Sequence, residues 1–335
     1  MSKQGKSGTK QMSFAQVEYG AKKKLTRRDI FLAQMETVVP WARLASVVEP
    51  YYPKSGRRGR PPIGLDRMLR MYFVQQWYAL ADEAVEDALL DSQALRQFCG
   101  FDLAVEQVPD ATTLMKFRHL LEAHDLTQAM LKEVNALLTE RGLLMNKGTL
   151  IDATLIAAAP STKNKEHQRD PDMHQTKKGN QWYFGMKAHI GADDQSGLVH
   201  TVVSTAANVS DISQAAALLH GNETRIGADA GYVGAEKRLE VKAKMATMPP
   251  VVEWHIARRR KPIREMAEGW QKSLVLAQEK LKASVRAKVE HAFHVLKNIF
   301  RYKKARYKGL GKNDAQLRML FALGNLYMVR AKLRP

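Results

Sequence analysis

The chain has 335 residues, 45% of them hydrophobic, one cysteine, and 53 Lys or Arg against 34 Asp or Glu, for a formal net charge of +19. That length allows roughly two domains with buried cores, and the charge points to a polyanionic partner. Cys99 alone excludes an intrachain disulfide and a multi-thiolate zinc site; with neither an apolar signal core nor a long uncharged apolar run, a cytoplasmic protein is expected.

Residues 1–62 read as a basic amino-terminal arm that ends in the linker YYPKSGRRGRPP, where Pro, Gly and basic residues interrupt any periodicity. A helical unit over 63–142 follows. Leu65, Met68, Leu69, Tyr72, Phe73, Gln76 and Trp77 fall at helical spacing, and Ala84, Val85, Ala88 and Leu89 continue after a polar break. Asp110 precedes a run with Leu114, Phe117, Leu120 and Leu121, and Leu126, Met130, Leu131, Val134, Leu137 and Leu138 repeat the pattern. Trp77 and Tyr78 are read as core. The unit is expected to bind DNA, through a helix-turn-helix, or to dimerise.

The composition changes at Gly142, and Lys147-Gly148 leads into the β-rich run Thr149 to Ile156, so a second, α/β domain is expected over 143–335. Residues 157–180 read as a long polar loop whose Lys163, Lys165, Lys177 and Lys178 suit a phosphate backbone. QWYFGMKAHIG and LVHTVVSTA flank the turn-forming ADDQSG, a β-hairpin. Ser210 is placed to cap a helix through Leu219. RIGAD is a strand ending in Asp229, and VVEWHIA is another short apolar stretch. A long helix from Leu274 to Phe300 and a final helix from Asp314 to Ala331 complete the order.

Three acids stand where acids are usually avoided: Asp152 inside TLIDATLI, Asp229 at the end of RIGAD, and Glu290 inside RAKVEHAFHVLK. An ionised carboxylate in apolar surroundings is costly unless it is paired or holds a metal. In an extended strand Leu150, Asp152, Thr154 and Ile156 share one face, and Ile151, Ala153 and Leu155 the other. On a helix Arg286 lies about 40° and Lys297 about 20° from Glu290, so the three project from one stripe. Residues 256–312 carry 17 Lys or Arg against four Glu, a net of +13 around Glu290. Carboxylates from separate elements suit two hard cations, Mg2+ with Mn2+ as substitute, and such a pair of ions activates a nucleophile and stabilises the leaving oxygen in phosphodiester cleavage. The basic neighbours suit DNA phosphates.

The segments GTLIDATLIAAAPSTKNKEHQRDPDMHQTKKGNQWYFGMKAHIG, GADAGYVG and VRAKVEHAFHVLKNIF, in this order, resemble bacterial insertion-sequence transposases of the DDE class, in particular the insertion sequence five family. RPPIGLDRMLRMYFVQQWYALADEAVEDALLD and PDATTLMKFRHLLE are similar to that family's amino-terminal helical region. The resemblance implies a ribonuclease-H-like mixed-sheet catalytic domain with an all-helical domain before it, and Asp152, Asp229 and Glu290 as the catalytic, metal-binding triad. It also implies cleavage at the transposon ends and joining of freed 3′ hydroxyls to double-stranded target DNA. Joining two ends calls for a homodimer or larger assembly.

Within the family signature Tyr-x2-Arg-x3-Glu-x6-Lys the chain supplies Arg286, Glu290 and Lys297, but Ala283 stands at the Tyr position. Arg286, Lys297, Lys177 and Lys178 are the expected DNA contacts. Some transposases with this signature stack a flipped base on tryptophan; for Trp254 and Trp270, core packing is the reading preferred here. His167 and His174 lack the partners of a zinc site. Two rival readings keep the DNA partner: a non-catalytic repressor of the element, and a nuclease that cuts without joining.

Overall fold

Secondary structure begins well before the position where the sequence places it. The computed structural model describes residues 19–54, 61–163, 165, 167–246 and 251–333; the start of the expected basic arm, the centre of its linker and Pro249-Pro250 lie outside the described residues. Helix α1, Arg27–Val38, opens on a capping box in which the Asp29 amide donates to the Thr26 hydroxyl at 3.2 Å and the Thr26 amide to the Asp29 carboxylate at 2.7 Å. Helix α2, Trp41–Val48, follows Pro40. Both replace the arm expected over these residues. Leu32, Met35, Val38, Leu44 and Val48 are buried; the apolar residues of α1 are spread around the helix, so no stripe in the sequence announces it.

The expected helices follow as α3 (Leu65–Tyr78), α4 (Asp82–Asp91), α6 (Ala111–Ala123) and α7 (Leu126–Glu140), with an unforeseen short α5 (Gln93–Cys99) between them. Asp110 caps α6 by accepting from the Thr113 amide at 2.7 Å. Trp77 is buried in aromatic contact with Phe31 and Phe73.

The mixed sheet comprises β1 (Gly148–Ala157), β2 (His174–Lys178), β3 (Gln181–Asp193), β4 (Val199–Ala206), β5 (Arg225–Ala228) and β6 (Glu253–Ile256). Its order is β2-β3-β1-β5-β6, with β4 also paired to β3. β3 runs antiparallel to β1, β2 and β4, whereas β1–β5 and β5–β6 are parallel. The β3–β4 hairpin is the one expected from ADDQSG. β2 falls inside the expected 157–180 loop, because its sequence HQTKK has no apolar alternation to announce a strand. Gly185 sits where β3 passes closest to β1: any Cβ there would run into the Ile156 carbonyl oxygen.

The helix expected from Ser210 to Leu219 is instead two 3-10 turns, Asp211–Gln214 and Ala216–Leu218. Ser210 supplies no side-chain cap; the Ser213 hydroxyl donates to its carbonyl at 2.6 Å, which favours the tighter i to i+3 turn. Two short helices, α8 (Leu239–Met245) and α9 (Arg260–Arg264), precede the long α10 (Trp270–His294). α10 runs into a π turn, Val295–Ile299, and α11 (Leu310–Leu333) ends the fold.

β1 divides the core by its alternation. Leu150 and Ile156 join one hydrophobic cluster with β3, the amino-terminal helices, Val289 of α10, Leu296 of the π turn, and α11. Ile151 joins a second cluster on the opposite face with Ile226, Ala228, Leu218 and Tyr232. α11 is buried on nearly every side and carries a polar clasp. The Asn325 Oδ1 accepts from the Val199 amide at 2.8 Å, and its Nδ2 donates to the Val199 carbonyl at 2.7 Å and to Asn135 of α7 at 3.0 Å.

Candidate active site

The parallel register of β1 and β5 brings two of the three sequence-selected acids together. The last pair in that ladder is Ile151 with Ala228, and the next residue on each chain segment is Asp152, midway along β1, and Asp229, just past the end of β5, so the two carboxylates emerge side by side where the ladder stops. Asp152 accepts from the Ala153 amide at 2.8 Å. Burial pushes its carboxyl up to about 6; the Ala153 N–H and the Arg286 charge oppose that shift, and the charges of Asp229 and Asp211 add to it. Asp229 caps the 3-10 turn Ala230–Tyr232 by accepting from the Gly231 amide at 2.8 Å.

Both acids line a cavity of about 440 Å³ together with Asp211, Arg286, Lys177, Lys178 and Lys187. Arg286, on α10, brings its Nη2 within 4.0 Å of Asp152. Tyr232 is buried beneath the acids, its hydroxyl without a hydrogen-bond partner among the described residues. Burial, with the charges of Asp211, Asp152 and Asp229, holds that phenol far above its ordinary range.

Asp211 and Lys187 were not singled out from sequence. Lys187 Nζ lies 2.8 Å from Asp211 Oδ1 and donates to the Val209 carbonyl at 2.8 Å. His189, fully buried, sits behind them with Nδ1 3.8 Å from Asp211 and Nε2 2.8 Å from Thr205 Oγ1; burial lowers its imidazole to about 4, leaving it neutral near pH 7. Asp211 follows β4 in a polar stretch, and nothing about its neighbours marks it as unusual.

The remaining signature residues part company. Lys297 turns inward: its Nζ donates to Thr154 Oγ1 at 2.6 Å and to the Leu155 carbonyl at 2.7 Å, and burial together with the charges of Lys178 and Lys303 lowers its pKa. Glu290 is exposed and does not line the cavity. The shared stripe of Arg286, Glu290 and Lys297 is therefore not kept, because Lys297 lies in the π turn, whose wider winding advances each residue by less than the 100° of an α-helix. Among the described residues no three His, Cys, Asp or Glu side chains converge closely enough to enclose a metal ion.

Two adjacent carboxylates remain; among the described residues the ion-pair partner of Asp152 is Arg286 at 4.0 Å, and burial, with the charges of Asp229 and Asp211 added, raises the Asp152 carboxyl. That donor set fits a hard divalent cation. Of the tryptophans, Trp254 is half-buried on β6 beside Arg286 in a neighbouring cavity of about 550 Å³, whereas Trp270 is 74% exposed at the start of α10 and does not pack in the core as expected.

The family profile described as Transposase DDE domain matches residues 145–326, more than half of the chain. The chain belongs to the DDE transposases. A second profile, Transposase domain (DUF772), matches residues 20–120 of the transposase and so covers α1 to α6. Membership in the family makes the transposase a DNA-binding enzyme of DNA transposition. No solved structure matches it. No helix among its described residues is long and apolar enough to cross a membrane.

Proposed function

We propose that this transposase binds the terminal inverted repeats of an insertion sequence, cleaves at the element's ends and joins the freed 3′ hydroxyls to target DNA. The observation that carries the reading is the pair Asp152 and Asp229, set just past the end of the parallel β1–β5 ladder, in a cavity they share with Asp211 and with the cations Arg286, Lys177, Lys178 and Lys187. Sheet order supports a ribonuclease-H-like catalytic domain from about residue 143: β4-β3-β1 is antiparallel, and β5 and β6 continue parallel to β1. The helices before it form the helical DNA-binding or dimerisation unit, and two copies engage two ends.

Asp152 and Asp229 would hold Mg2+ or Mn2+. Bound there, the ions would supply an activated water for the first cut and stabilise the oxygen that leaves phosphorus. Glu290 is assigned as the third carboxylate. That assignment rests on the family signature, since the Glu290 side chain is exposed on α10 one turn after Arg286 and outside the cavity. Arg286 keeps a positive charge beside Asp152 when phosphate enters, and Lys177 and Lys178 fix the strand that carries the scissile bond. Lys297 holds Thr154 and Leu155, and with them the end of β1 that presents Asp152.

Asp152→Asn, Asp229→Asn and Glu290→Gln are expected to bind end DNA with near wild-type affinity and to lose cleavage in Mg2+. Normal cleavage by any one of them would remove that residue from the site. Sequencing the products for joined strands separates a transposase from a nuclease, and wild-type protein that binds ends without cutting them would identify a repressor.

A further inference from the structure

The first turns of α10 carry apolar side chains that the fold does not bury. The buried residues of this helix, Val289 and Ala292, lie in its second half. Before them Trp270 is 74% exposed, Leu274 51%, Leu281 67% and Val285 38%. At 100° per residue these four fall within an arc of about 60°, one stripe along roughly 22 Å of helix. A surface helix ordinarily turns such a stripe to its own core.

Charge stays off the stripe. Lys272 and Lys280 project more than about 100° from its centre, and Lys282, on its flank, is held by its own chain, its Nζ donating to the Ile256 carbonyl and to Glu279 at 2.9 Å each. Ala277 and Gln278, exposed and uncharged, fill the middle.

The stripe is also symmetric. Its intervals of four, seven and four residues are the same read from either end, about a point between Ala277 and Gln278. A second α10 laid antiparallel across a twofold axis at that point sets Leu274 against the partner's Leu281, and Trp270 against the partner's Val285. Leu281 and Val285 line the cavity of about 550 Å³ between α10 and the strands β5 and β6, with Gly227 and Trp254. An indole arriving opposite Val285 therefore meets an open apolar cavity, the setting in which an aromatic anchor contributes most to an interface. The four side chains together expose on the order of 500 Å², toward the top of what one apolar patch on a monomer reaches. Two copies paired through them cover about 1,000 Å², the area a specific interface needs, before any flanking polar surface is counted.

We propose that two copies of the transposase pair through this stripe, α10 antiparallel to α10, with Trp270 of each protomer seated in the cavity beside Val285 of its partner. The inference rests on the proposed joining of two ends, which calls for two copies, and assigns the surface that holds them together. Arg286 lines both this cavity and the one that contains Asp152 and Asp229, so the interface abuts the candidate active site. Each copy carries a net charge of +19, and salt screens the repulsion between them. Pairing through the stripe therefore strengthens as salt rises, whereas an assembly bridged by DNA weakens.

Nuclease-treated full-length protein is followed by sedimentation equilibrium as NaCl is raised from about 0.1 to about 0.5 M. Wild type shows a monomer–dimer equilibrium that tightens with salt. Leu281→Asp, at an exposed position, keeps the wild-type melting temperature and weakens the dimer about thirtyfold or more, and Trp270→Ala does the same. Register is read by cross-linking under a mild oxidant, the native Cys99 being buried. Gln278→Cys, next to the axis, gives a disulfide-linked dimer; Leu274→Cys does so only when combined with Leu281→Cys.

A wild type that stays monomeric at high salt, a Leu281→Asp variant that pairs as wild type does, or a Gln278→Cys variant that does not cross-link overturns the proposal. The two readings fail separately. If ends are cut and joined by protein whose assembly ignores Leu281, only the pairing assignment falls. If dimers depend on Leu281 but DNA is never cut, only the cleavage reading falls.

Discussion

Asp152, proposed above as a metal-holding residue, is a carboxylate held against the preference of the fold. Its carboxyl titrates at about 6 in the folded chain and near 3.8 when exposed, so between those values the folded state binds the proton that the unfolded state has lost. Stability therefore falls as pH rises through this window, and above it the ionised carboxylate destabilises the metal-free fold by about 2–3 kcal/mol. In EDTA at pH 7.5, Asp152→Asn should melt several degrees higher than wild type, and the difference should vanish by about pH 4. A variant that melts at or below wild type at the higher pH would show that Asp152 carries no such burden. The misplaced acids in TLIDATLI and RIGAD are legible in sequence because apolar neighbours make them costly. Asp211 is not, since a carboxylate in a polar turn carries no such cost until the tertiary fold brings Lys187 and Asp152 to it.

At the scale of elements, α10 and α11 hold the site from one side. α10 presents Arg286 to Asp152, and its π turn carries Lys297 to β1. These two basic residues, alike in sequence, are expected to respond differently. Arg286→Ala should weaken DNA binding and reduce the slope of log affinity against log salt by about 1. Lys297→Ala should leave that slope unchanged and lower the melting temperature, because Thr154 and the Leu155 carbonyl lose their donor. Equal salt slopes for both variants would contradict this division. Asn325 performs the matching task on α11: Asn325→Ala strands the Val199 amide and carbonyl in the core and should cost about 2–4 kcal/mol, read as a shift in urea midpoint. The helices were legible from apolar spacing where the apolar face was uninterrupted, as in α3, α6 and α7. α1 was not, because its apolar residues are spread around the helix instead of forming one stripe, and β2 was not, because polar side chains dominate its sequence and only pairing reveals it.

For the whole molecule, the apolar core runs without a break from α1 through α7, across one face of the sheet, to α10 and α11. The two units expected on either side of residue 142 share that core, since α11 packs on both. Heating the free protein should therefore give one calorimetric transition whose van't Hoff and calorimetric enthalpies agree; two resolved transitions would mean that the units unfold independently. The net charge of +19 belongs to the same scale. Such a charge draws DNA to the surface in general, with an effect that weakens as salt rises, whereas under the proposed function the cavity would select the phosphodiester.

Sequence by itself determined the chemistry on offer: the basic excess, the carboxylates set in apolar runs, the order of most strands and helices, and the family signature broken at Ala283. These are local properties, fixed by composition and by periods of two or 3.6 residues. Tertiary structure alone decided which groups meet. The parallel register placed Asp152 beside Asp229, and the π turn sent Lys297 inward and left Glu290 exposed. Each of these depends on pairing between segments distant in the chain or on a local change of winding, and no periodicity in the sequence records either.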